Sequence, residues 1–129
     1  MKPAHGAIII SVLLSINLSV KAQSLNGIER AIVTNDVPLI EKELNGDVEI
    51  TIANNSGEYS ESQGAIVLKN FLSTHHPKKI VAAFQGTSPQ GSSYLIGNLI
   101  TSIGEFRMYI YAKKVNGTLV MKEIRFDNM

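Results

Sequence analysis

The chain contains no cysteine. That excludes disulfides, thiolate chemistry and a lipidated cysteine, so the domain has to be held together by its core alone. A charge excess is missing as well, since twelve basic residues face eleven acidic ones over 129 positions. A near-neutral chain exerts no long-range pull on phosphate, which argues against nucleic acid as a partner. No apolar run approaches the roughly 20 residues needed to span a bilayer. The stretch from Ala7 to Leu14 is broken by Ser11 and followed by Ser15, Asn17 and Ser19. Repeats, linkers and low-complexity segments are also absent, which leaves one domain.

What is present at the start is an export signal. Lys2 supplies the positive end, Ala7 to Leu14 the apolar stretch, and Val20-Lys21-Ala22 the small-x-small cleavage pattern. Cleavage after Ala22 removes residues 1–22 and leaves residues 23–129 as a single exported domain, periplasmic or secreted, with no membrane span in its mature form. Lys2 and Lys21 go with the signal, so ten basic residues remain against eleven acidic ones and the net charge becomes −1.

Helical spacing comes first in the mature chain. Leu25, Ile28, Ala31 and Ile32 fall on one face between Ser24 and Asn35. Asp36 can cap a second short helix with Pro38 in its first turn, running to Leu44 and ended by Asn45-Gly46. Asp47 to Ala53 alternates as a strand, Asn54 to Gly57 turns the chain, and Glu58-Tyr59 starts a return. Ser60 and Gln63 form a capping box for a long helix to Thr74 that buries Ala65, Leu68, Phe71 and Leu72 and stops at Pro77.

Four β-rich runs follow: Ile80 to Gly86, Ser93 to Thr101, Phe106 to Lys113 and Thr118 to Phe126. Ser88 to Gly91, Ile103-Gly104 and Asn116-Gly117 are the reversals between them. The class is therefore α+β, with helices packed on a mainly antiparallel sheet.

Two-residue turns at Ile103-Gly104 and Asn116-Gly117 fix a register. It places Ile96, Ile100, Arg107, Tyr109, Tyr111, Ile124 and Phe126 on one face, and Leu95, Leu99, Met108, Ile110, Met121, Glu123 and Arg125 on the other. Both faces are then substantially apolar, and the helices can cover only one. Either the second face meets a partner, or a bulge in the last strand returns Ile124 and Phe126 to the core; a one-residue slip separates the two.

These faces define the candidate sites. Met108, Ile110, Glu123 and Arg125 would line a cavity for a small apolar ligand with a polar anchor. Ile96, Arg107, Tyr109, Tyr111 and Phe126 would form an interface, for a homodimer or a cell-envelope protein. No catalytic set converges: the mature histidines, His75 and His76, adjoin each other at a helix end and suit a cap better than a metal. The loop from Gly86 to Tyr94 lacks the spacing of a phosphate cradle. No metal and no cofactor is expected.

The segments YSESQGAIVLKNFL (Tyr59 to Leu72), FQG (Phe84 to Gly86), YLIGNL (Tyr94 to Leu99) and GEFRMYIY (Gly104 to Tyr111) resemble a small family of exported Bacteroidetes proteins of unknown function. The resemblance implies a nuclear-transport-factor-2-like, or cystatin-like, cone in which a curved sheet wraps round helices. It carries over no activity and no catalytic residue. Isomerases, dehydratases and hydrolases share that cone, and an enzyme of this kind would need Glu123 enclosed within it as a tuned acid or base.

Overall fold

The computed structural model describes residues 25–129, so the export signal expected at residues 1–22 lies outside the described residues. Three helices and six strands follow in the order α1 (Asn26–Thr34), α2 (Val37–Lys42), β1 (Val48–Ile52), β2 (Asn55–Tyr59), α3 (Glu61–His75), β3 (Pro77–Thr87), β4 (Ser93–Thr101), β5 (Gly104–Val115) and β6 (Thr118–Asn128). The class is α+β, as expected. The Asp36 cap and the Ser60 half of the capping box form: Asp36 accepts from the Leu39 N–H at 3.2 Å, and Ser60 accepts from the Gln63 N–H at 3.3 Å. α1 ends on Asn35 and α3 on His76, each in the left-handed conformation that closes a helix.

All six strands join one curved sheet in the order β2-β1-β6-β5-β4-β3. Every neighbouring pair is antiparallel except β1 with β6, which run parallel from Glu49 opposite Glu123 to Ile52 opposite Phe126. The last strand is thereby the central one, joining the early hairpin to the late meander. α3 lies against the inner face, where Leu68, Phe71 and Leu72 meet Leu95, Leu99, Met108, Ile110, Ile124 and Phe126 in a single buried cluster. Gly64 lets α3 approach closely, because a Cβ there would stand 2.6 Å from Val48 Cγ1.

Two features of the register differ from expectation. The β4–β5 turn is Ser102-Ile103 rather than Ile103-Gly104, so Thr101 pairs with Gly104 and Leu99 with Phe106. Thr101 Oγ1 fixes that turn, donating to Gly104 O at 2.7 Å and accepting from the Ile103 N–H at 3.2 Å. A shift of two residues changes partners and keeps every side chain on its face.

The second difference does change faces. Asn116-Gly117 makes the expected turn and Ala112 pairs with Met121, but the register then slips by one, so that Tyr111 meets Glu123, Ile110 meets Ile124 and Met108 meets Phe126. Lys122 is the extra residue of a β-bulge. Of the two possibilities left open by the sequence, the bulge is the one that forms, and Ile124 and Phe126 are fully buried.

Candidate functional site

The bulge at Lys122 decides what each sheet face offers. Met108 and Ile110 lie inward as expected, but both are at 0% exposure among core side chains and line no opening. Glu123 and Arg125 were expected beside them. They lie on the opposite, outer face instead, because the extra residue flips the strand beyond it. Phe126 makes the converse move. Expected in the interface, it is a core residue, stacked on Phe71 with ring centroids 4.5 Å apart. The condition for a cone-fold acid or base, Glu123 enclosed among the helices, is therefore not met.

Ile96, Arg107, Tyr109 and Tyr111 do share the outer face, as predicted. Strand pairing arranges that face in rows. One row runs Glu58, Glu49, Glu123, Tyr111, Tyr94, Gly86 from β2 to β3, and the next runs Ser56, Thr51, Arg125, Tyr109, Ile96, Phe84. A third contains Asp127, Arg107, Asn98 and Val81. None of the three helices lies on this side.

Tyr94, Phe84, Val81 and Glu49 on this face are not among the site residues expected from the sequence. The first follows from the period-two alternation of β4. Val81 and Phe84 are three apart, and a slip between Ala82 and Phe84 places both outward. They are 48% and 53% exposed, an apolar margin on an otherwise polar-aromatic surface.

Local contacts order the centre of the face. Tyr94 lies over Gly86, where a Cβ would come within 2.8 Å of the ring, and its centroid is 5.8 Å from that of Phe84. The Tyr111 hydroxyl and Ser92 Oγ are hydrogen-bonded at 3.1 Å. Arg107 Nε donates to Asn98 Oδ1 at 3.0 Å, and Arg125 pairs with Asp127 at 3.4 Å. Burial, then the Glu123 carboxylate and the phenols of Tyr111 and Tyr94, hold the Tyr109 phenol above its ordinary value, while Arg125 pulls the other way. Three tyrosines and a carboxylate thus act on one another across three strands.

Among the described residues, two open grooves lie away from this face. One, of about 390 Å³, separates the ends of α1 and α3 and is lined by Asn35, Ser73 and His76 among others. The second, of about 300 Å³, lies between Tyr59 and the Ile66–Val67 side of α3. His75 caps its own helix, with Nδ1 2.7 Å from Phe71 O and its ring stacked on Phe71 at 4.2 Å. Among the described residues, no group of three or more His, Cys, Asp or Glu side chains is placed to hold a metal ion.

The profile of a domain family of unknown function, DUF4783, matches residues 25–127. The chain belongs to the DUF4783 family. A DUF4783 protein of Bacteroides uniformis is 26% identical in sequence, with a TM-score of 0.75 over 81% of this chain and 95% of its own. A second, from Bacteroides ovatus, superimposes with a TM-score of 0.77 at 21% identity, covering 84% of this chain and 97% of that one. Beyond DUF4783, an NTF2-like protein of unknown function from Shewanella oneidensis shares the fold at 11% identity, with a TM-score of 0.62 over 81% and 93% of the two chains. No curated protein matches the chain. DUF4783 membership and the NTF2-like cone agree with the resemblance read from the sequence.

Proposed function

We propose that this DUF4783 chain is a non-enzymatic binding module, exported by its N-terminal signal, whose working surface is the open outer face of the sheet. One observation carries the reading: Tyr94, Tyr109 and Tyr111 stand together with Ile96 and Phe84 on a face that no helix covers. Rigid aromatic side chains with a polar tip are the residues that interface centres favour. The cone interior supports the same reading from the other side, since Met108 and Ile110 are packed against core side chains. A protein partner fits an open sheet face of this kind better than a small ligand, which calls for a concave site.

A photo-crosslinking residue at position 96, compared with one at Lys69 on α3, tests this in cells. Adducts that form at position 96 and not at position 69, and that disappear with Tyr109→Glu, support the outer face. Equal labelling at both positions, or adducts only at Lys69, would move the working surface to the helices.

A further inference from the structure

β3 ends the sheet on one side, with β4 as its single neighbour. Eight of its eleven residues are exposed, whereas β4 beside it alternates buried and half-buried positions throughout. The exposed stretch is nevertheless apolar, Ile80-Val81-Ala82-Ala83-Phe84, and it is open on both faces: Val81 and Phe84 point outward, while Ala82 and Gln85, opposite Gly97 and Leu95, are exposed on the inner side. Among the described residues, no backbone hydrogen bond joins the free side of β3 to another element. An edge of this kind is a ready template for a further strand, with backbone bonds giving affinity and alternate side chains giving selectivity.

Charge and shape select the occupant. Lys78 and Lys79 stand at the start of β3, and neither is in an ion pair, the one such pair among the described residues being Arg125 with Asp127. From Pro77 to Gly104 the chain has no acidic residue. Past the far end of the strand, Lys114 lies against Gly91 in the following loop, its Cβ 3.4 Å from where a Cβ on that glycine would stand. The apolar stretch is therefore flanked by positive charge at both ends. In shape, Lys78 and Ala83 are each an extra residue in the pairing with β4, so β3 bends twice and keeps two regular stretches, residues 79–82 and 84–87. Such bends deny a straight edge to another rigid sheet. An antiparallel second copy would also bring Lys78 and Lys79 of each chain toward Lys114 of the other. A single flexible segment can follow the bends, and carboxylates on it meet the lysines. We propose that the free edge of β3 takes an extended acidic segment of a partner protein as an added strand, with apolar side chains beside Val81 and Phe84 and Asp or Glu beside Lys79 and Lys114. This site lies on the rim of the sheet and goes beyond the tyrosine face.

Fluorescence anisotropy of the mature protein with three labelled peptides decides the matter. The first is Glu-Asp-Thr-Val-Thr-Val-Thr-Glu-Asp, the second carries lysine at its four acidic positions, and the third carries proline at its two valines, which removes backbone donors. The first should bind and the other two should not. Lys78→Glu with Lys79→Glu, both at exposed positions and so expected to stay folded by circular dichroism, should weaken the acidic peptide at least about tenfold, the worth of two exposed ion pairs, and admit the lysine peptide instead. Lys69→Glu, on the exposed side of α3, should change neither. With the acidic peptide bound, amide exchange should slow along β3 and not along β2. No binding at about 1 mM peptide, equal binding of the proline or lysine peptide, indifference to the paired lysine reversal, or protection away from β3 would each overturn the proposal. The peptides report on the edge and the crosslink at position 96 on the tyrosine face, so the failure of either leaves the other standing.

Discussion

Replacing Phe126 with alanine separates the two places this residue could occupy. In the interface first expected of it, the side chain would be exposed in the monomer, and its loss would leave folding almost untouched. In the structure it is at 0% exposure, stacked on Phe71 at 4.5 Å and 26°. Truncating a buried phenylalanine costs about 3–5 kcal/mol, and a lost aromatic pair adds about 0.5–1.5 kcal/mol, so a loss near 4 kcal/mol is expected. For a domain of this size each kcal/mol moves the melting temperature by about 4–8 °C, which gives a fall of at least about 15 °C. Urea unfolding followed by circular dichroism, at two protein concentrations, is the assay. The midpoint shift should be independent of concentration, because the lost contacts lie within one chain. A loss below about 1 kcal/mol, the range of surface changes, would refute the core placement and with it the bulge at Lys122.

Other expectations follow from single contacts. Gly97→Ala places a Cβ 2.5 Å from Val81 O, so β3 must move, at a cost of about 1–3 kcal/mol and with faster amide exchange along β3 than along β5. Burial holds the Glu43 carboxyl above its ordinary value, with Lys42 pulling the other way. The folded chain therefore binds that proton more tightly than the unfolded chain, and its stability gains as pH falls through the folded value toward the unfolded one. Glu43→Gln should raise the melting temperature at pH 7, an advantage that disappears below about pH 4. Ultraviolet titration should find the Tyr109 phenol ionising above its ordinary value, and Glu123→Gln should lower it part of the way, leaving the larger effect of burial in place. Ser60→Ala removes the cap of α3 and should cost about 1 kcal/mol in chemical denaturation.

The helices were legible because their signals are local. Asp36 and Ser60 cap where their side chains and the following apolar spacing say they should. The bulge was legible only as one of two options, although the clue was present: Met121, Ile124 and Phe126 are all buried, and a spacing of three followed by two cannot lie on one face of a regular strand. Val81 and Phe84 repeat that clue in β3. The Ser102-Ile103 turn was missed because glycine was weighed above the Thr101 hydroxyl that in fact fixes the reversal. The parallel pairing of β1 with β6 has no local signal at all, since their partners are more than seventy residues apart. The candidate site inherited these errors. Residues before the bulge were assigned to their correct faces, whereas Glu123, Arg125 and Phe126, which follow it, were each assigned to the wrong one.

The position of β6 also governs when the molecule can assemble. β1 and β2 are made early and β3 to β5 later, yet the two groups share no strand contact until β6 lies between them. A chain lengthening from its N-terminus therefore holds two incomplete sheets, with Ile50 and Met108 each lacking the neighbour that β6 supplies. Closing contacts across so long a stretch of sequence is slow, because the loop entropy is lost before any contact repays it. The sheet thus cannot close until β6 has been added, and the early hairpin and the late meander each wait on that one strand for a neighbour.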